Sequence, residues 1–217
     1  MRKLVKGIVD FRRTALPEYR QKFSQLASGQ SPDSLFVACS DSRVVPNLFA
    51  STDPGDLFVV RNVGNLVPRC GLNGHSTADE SEAAAIEFAV MNLSVSDIIV
   101  CGHSDCGAMH ALVNGREKVL APNLRAWLRH GEPSLERLPP STNPAARVNT
   151  LSKMNVLHQL ENLRSYPIVR GRMDDHKLKL HAWWFDLGTA EVYAFDEDTG
   201  RYFLIDEAGA ERILSRL

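Results

Sequence analysis

No stretch of this 217-residue sequence approaches the roughly 18 consecutive apolar residues a membrane-crossing helix needs, so no membrane insertion is expected. The start, Met1-Arg2-Lys3-Leu4-Val5-Lys6, is charged but is not followed by the apolar core and small-residue cleavage site of a secretory signal. A cytoplasmic location is the resulting expectation. Neither sign of charge dominates, with 25 Lys and Arg against 26 Asp and Glu. No basic stripe is present to attract nucleic acid, and bulk attraction to anionic lipid is excluded with it. Internal repeats and low-complexity segments are missing too. Cysteine is scarce, at positions 39, 70, 101 and 106. In a chain of this cytosolic character, four cysteines point to metal binding or catalysis before disulfides.

What the chain does contain is a set of soft ligands in two halves. One is Cys39-Ser40-Asp41-Ser42-Arg43 and the other is His103-Ser104-Asp105-Cys106. Each follows a short apolar run of strand type: Leu35-Phe36-Val37-Ala38 leads into Cys39, and Ile98-Ile99-Val100-Cys101-Gly102 leads into His103. If the two runs are parallel neighbours, their carboxyl ends open onto one crevice, where open α/β sheets place their chemistry. Two thiolates and an imidazole suit zinc, and three protein ligands leave a fourth position for water. The pattern therefore predicts an open, catalytic site instead of a closed structural one. Cys70, in a loop, and Cys101, on a buried strand, are not expected as ligands.

Length suits a single domain over 1–217. The spacing of Leu4, Val5, Ile8 and Phe11 predicts one helix, and Phe23 and Leu26 a second after Pro17, stopped at Gly29. Strands are expected at 35–38 and, after the turn Asp53-Pro54-Gly55, at 57–60, both as continuous apolar runs buried on two faces. Residues 68–76 read as a loop. Thr77-Ala78-Asp79-Glu80 has capping-box spacing ahead of an Ala-rich helix ending near Met91. A helix from Gly107 places Cys106 at its amino terminus, where a thiolate is favoured. A Pro-rich connection over 133–144 precedes a long helix between Ala145 and Asn162. Strands at 178–184 and 191–195, joined at Leu187-Gly188-Thr189, complete the pattern. The fold class expected is three-layer α/β: a mainly parallel central sheet with an antiparallel edge strand, flanking helices and an N-terminal helical arm over 1–30.

With these motifs in order, the chain resembles the β-class carbonic anhydrases. Ala38-Cys39-Ser40-Asp41-Ser42-Arg43-Val44, Arg61-Asn62-Val63-Gly64-Asn65 and Gly102-His103-Ser104-Asp105-Cys106-Gly107 carry the resemblance, which covers nearly the whole length. It implies zinc-dependent interconversion of CO2 and bicarbonate, with one Zn2+ per chain on Cys39, His103 and Cys106. It also implies a homodimer or a higher assembly of dimers, with the arm wrapping the partner. Asp41 and Arg43 become the catalytic dyad: Asp41 orients the water that zinc acidifies, and Arg43 holds Asp41 through a bidentate pair. If that pair breaks, Asp41 becomes the fourth ligand of a closed, inactive form. Because two thiolates already cancel the metal's formal charge, the water is expected to be less acidic than at an all-histidine site.

Similarity to the plant-like members implies substrate contacts from Gln30, Phe58, Val63 and Phe88, and the position of Gly107 at a helix amino terminus leads to the expectation that its backbone N–H serves a bicarbonate oxygen. Phe88 stands where those members often carry Tyr. The bicarbonate-inhibited members share a Trp, an Arg and a Tyr, for which this chain has Phe36, Arg61 and Phe185, so an effector site of that kind is not expected. His75 and His110 are the nearest candidates for exporting the proton. Trp183 and Trp184 read as packing residues. Two alternatives stay open from the sequence: hydrolysis of carbonyl sulfide or carbon disulfide on the same zinc scaffold, and a non-enzymatic zinc scaffold or bicarbonate sensor with the water displaced by Asp41.

Overall fold

The computed structural model describes residues 1–78, 80–140 and 143–216. Two helices, α1 (Arg2–Thr14) and α2 (Leu16–Leu26), lead into strand β1 (Ser34–Cys39), the short α3 (Pro46–Phe49) and β2 (Leu57–Asn62). Next come α4 (Ser81–Glu87), β3 (Asp97–His103) and α5 (Gly107–Val113). Short helices α6 (Pro122–Trp127) and α7 (Glu132–Glu136) precede the long α8 (Pro144–Leu163) and α9 (Pro167–Asp174). The chain then runs through β4 (Lys179–Asp186), β5 (Glu191–Asp196), β6 (Arg201–Leu204) and α10 (Glu207–Leu214).

The strands form one sheet in the order β2-β1-β3-β4-β5-β6. The first four are parallel, and β5 and β6 return antiparallel. Side chains alternate across a strand, so β1 and β3 each feed two cores. Leu35, Val37, Ile98 and Val100 face Val156, Leu160 and Leu163 of α8. Phe36, Ala38, Ile99 and Cys101 meet Val44, Phe49 and Trp183 on the other face. A third cluster lies past the carboxyl ends, where Cys39 and Cys106 join Leu66, Met109, Leu112 and Leu151.

Several expectations change. Residues 57–60 are apolar, but β2 is the edge of the sheet and only half-buried, with Val59 exposed. An apolar run reports hydrophobicity and says nothing about whether a second strand lies beyond it. The capping box does not form: the Thr77 hydroxyl donates to the Arg69 carbonyl at 2.9 Å, and α4 starts after Glu80. Asp79 lies outside the described residues. The helix is α only to Glu87 and continues as a π-helical turn over Phe88–Asn92. Part of the Pro-rich connection is helical, as α7. The antiparallel border holds two strands, not one, and the four-residue β6 and the terminal α10 were not anticipated. The N-terminal helices form as expected, but neither buries a residue, and Leu4, Val5, Ile8 and Val9 of α1 are exposed.

Candidate metal centre

Parallel pairing of β1 with β3, with Ala38 opposite Cys101, ends both strands at the same edge. Cys39 is the last residue of β1 and His103 the last of β3. Asp105, at φ +54, then reverses the chain so that Cys106 caps α5. The ligand atoms of Cys39, His103 and Cys106 all lie within 4.8 Å of one another, and all three residues are buried. Gly102 makes this approach possible, since a Cβ there would meet Val156 Cγ2 at 2.7 Å and Ser152 Oγ at 3.0 Å.

The chemistry of the donor set fits zinc. His103 Nδ1 lies 2.8 Å from the Ser104 carbonyl, so this nitrogen carries the proton and donates it. Nε2 is then a bare lone pair, buried and without a hydrogen-bond partner among the described residues. A metal ion is the natural acceptor of that lone pair, with the backbone hydrogen bond fixing the tautomer. The two thiols are coupled. Cys106 donating to Cys39 holds the Cys39 thiol well below its ordinary range, helped by His103 and by the N–H of Gly64, which is 3.4 Å from Sγ. The same sharing, with burial, pushes Cys106 upward. A divalent cation bound by these two sulfurs displaces their protons.

Beside the cluster, Arg43 donates to Asp41 through Nε to Oδ1 at 2.9 Å and Nη2 to Oδ2 at 2.8 Å, with its backbone N–H adding a third bond at 3.0 Å. Arg43 holds the Asp41 carboxyl far below the usual carboxylate range, so it is ionised and accepts only. Asp41 Oδ2 is 4.0 Å from His103 Nε2, facing the position a metal would take. Arg61 completes the pinning, with Nε on the Cys39 carbonyl at 3.1 Å and Nη2 on the Asp41 carbonyl at 2.7 Å. Its work here is on the backbone of the ligand loop.

One set of residues went unremarked in the sequence. Ser152, Asn155, Gln159 and Asn162 follow helical spacing along α8, and all four are buried. Ser152 Oγ donates to the His103 carbonyl at 2.8 Å, and Trp184 Nε1 donates to Ser152 Oγ at 3.2 Å. Asn155 holds the Gly64 carbonyl at 3.1 Å. Gln159 accepts from Val67 N and Asn162 donates to Val67 O, each at 2.9 Å. Trp127 Nε1 holds the Val63 carbonyl at 2.8 Å. The signal was present: a stripe of small polar and amide residues at 3- and 4-residue spacing inside an apolar helix must find buried partners.

Of the residues expected in the site, the structure gathers Cys39, Asp41, Arg43, His103 and Cys106. Gly107 follows as the first residue of α5, and Val63, exposed, adjoins the Gly64 that bonds Cys39. Gln30, Phe58 and Phe88 do not join them. Gln30 borders a shallow cavity of about 410 Å³ with Lys22, Leu26 and Asp56. Phe58 pairs with Leu35 at the far end of β1 and stacks on Phe88 at 5.7 Å, against the α8 face of the sheet. Among the proton-export candidates, His75 is exposed in the loop before α4, and His110 bonds Asp105 at 2.7 Å. Cys70 and Cys101 are free, buried and outside the cluster.

A family model described as carbonic anhydrase matches residues 34–192. The carbonic anhydrase of Pseudomonas aeruginosa is 40% identical over 209 residues, covering 95% of this chain and 93% of that protein. The solved structure of the beta-carbonic anhydrase CcaA superposes with a TM-score of 0.85 at 36% identity, covering 95% of this chain and 92% of the other. One of two tetrameric beta-carbonic anhydrases from Sordaria macrospora superposes with a TM-score of 0.76 at 28% identity, covering 89% of this chain and 97% of that one.

Proposed function

This chain belongs to the β-class carbonic anhydrase family, and from that premise we propose how its own residues serve the reaction and how it assembles. The protein is a zinc-dependent carbonic anhydrase that interconverts CO2 and bicarbonate, with the metal on Cys39, His103 and Cys106. When bound, zinc supplies an acidified water as the nucleophile for CO2. The relatives' named activity favours CO2 over its sulfur analogues. The observation that carries this reading is the buried Nε2 of His103, without a hydrogen-bond partner among the described residues, with two buried thiols within 4.8 Å.

Around that centre the dyad does the positioning. Arg43 keeps Asp41 ionised, so the carboxylate presents an acceptor toward the fourth metal position and fixes where the nucleophile's proton points. Arg61 and Ser152 hold the backbone on which Cys39, Asp41 and His103 sit. Release of Asp41 from Arg43 would let it occupy the fourth position and close the site. The backbone N–H of Gly107, at the start of α5, would donate to a bicarbonate oxygen. Stopped-flow CO2 hydration on protein of verified zinc content is the test; zinc-replete protein inactive across about pH 6.5 to 9 would defeat the reading.

Assembly and substrate pocket form one proposal. Gln30, Phe58 and Phe88 lie away from their own chain's cluster, so their substrate role requires a second copy of the chain. The unburied apolar face of α1 and the tetrameric relatives support a dimer-based assembly. Ile8→Glu on that face is expected to shift the protein toward monomer in light-scattering chromatography. A cytoplasmic location belongs to this proposal, supported by free thiols that suit a reducing compartment.

A further inference from the structure

Arg43 touches two carboxylates, and only one of them belongs to the dyad. Its Nε and Nη2 edge serves Asp41 at 2.9 and 2.8 Å. Its outer edge faces Asp105, with Nη1 3.3 Å from Oδ2 and Nη2 3.3 Å from the backbone carbonyl. Different N–H groups serve the two partners, so Asp105 does not displace Asp41. Asp105 is itself anchored at two further points. Its Oδ1 lies 2.7 Å from His110 Nε2 on α5, and its backbone N–H donates to Asn149 Oδ1 on α8 at 2.9 Å.

We propose that Asp105 is a positioning residue: it clamps the outer edge of Arg43 and thereby keeps Asp41, which faces the cluster, from moving into the metal's fourth position. The physical reason is connectivity. Asp41 and Arg43 are two residues apart in one loop, and the Arg43 side chain is half-exposed. A pair so close in sequence can move as a unit, the carboxylate carrying the guanidinium with it toward the cluster 4.0 Å away. An arginine held only by Asp41 therefore restrains little. A second anchor on a different part of the chain, tied to α5 and α8, turns the pair into a fixed bracket. The clamp rests on the reading above that Asp41 faces a zinc ion.

Two substitutions separate the clamp from a general effect on the ligand loop. Because Asp105 has φ +54, Asp105→Gly tolerates the backbone while removing the carboxylate, and Asp105→Asn tolerates it while keeping an acceptor. Azide, which needs the fourth metal position, is titrated into zinc-loaded protein and followed by the infrared band of the bound anion. A closed fraction weakens apparent affinity in proportion, so Asp105→Gly is expected to bind azide roughly three- to tenfold more weakly, with kcat/KM falling by the same factor. Asp105→Asn should recover most of both. At full zinc occupancy, azide affinity of Asp105→Gly within about twofold of the parent would overturn the clamp. Zinc loss in both variants would overturn it too, showing Asp105 to be a structural part of the ligand loop. If the parent failed to hydrate CO2 while the azide ordering held, the clamp would stand and the assigned reaction would fall.

Discussion

The two ends of the parallel sheet are both rich in charge, yet only one is built for chemistry. At the carboxyl end a buried histidine nitrogen has no hydrogen-bond partner among the described residues, two buried thiols lie within 4.8 Å of it, and a carboxylate faces them. At the amino end every carboxylate named here is satisfied. Asp97 accepts from His181 Nε2 at 2.7 Å, and Asp196 accepts from Thr199, Arg212 and Arg216. Between α10 and the sheet, His181, Arg212 and Arg216 border a cleft of about 440 Å³ that is also lined by Leu160, Met173 and Phe195. What marks the functional end is a converging set of buried soft donors, not volume or density of charge.

The sharpest way to break this contrast is to remove the orphan. His103→Ala should abolish stoichiometric zinc binding, read by metal analysis, and lower CO2 hydration roughly a thousandfold or more. Retention of full zinc would mean that the two ends differ less than their geometry indicates. The amino end should respond in stability alone. Hydrogen bonds from Thr199 and Arg216 pull the Asp196 carboxyl down from 3.8 to about 2. A depressed carboxyl contributes stability that is full above its unfolded value and is lost as pH falls through the folded one. The attachment of α10 should therefore weaken between about pH 4 and about pH 2, seen as faster amide exchange over 207–216. Asp196→Asn should bring that loosening to neutral pH while zinc content stays complete. The smallest effect is expected from Cys101→Ala, a buried thiol on β3 that is not a ligand. Zinc stoichiometry should be unchanged and the loss of stability about 1 kcal/mol by denaturant titration.

The ligands were legible because each carries its own local context. Cys39 and His103 close apolar runs that form buried parallel strands, and Cys106 precedes a glycine that opens a helix. Ordered recurrence of these motifs also led to the family. The edge position of β2 was not legible, since Leu57-Phe58-Val59-Val60 reads the same with one neighbour or two. Nor was the failure of the capping box: Thr77 had the right spacing, but Arg69 offered its hydroxyl a competing carbonyl. The buried polar stripe of α8 was visible as a pattern and mute as to purpose. Only the packed structure shows that it holds the backbone of Gly64, Val67 and His103.

By itself, the sequence determined which soft donors are available and that apolar runs deliver them, because donor type and apolar run are properties of short segments. Tertiary structure decided everything that depends on contacts distant in the chain. It set Asp105 against Arg43 across 62 positions and Ser152 beneath His103 across 49. It also carried Phe58 and Phe88 away from their own chain's centre. No local pattern encodes those meetings, since the same carboxylate or aromatic ring has the same propensities whether its partner is near or absent.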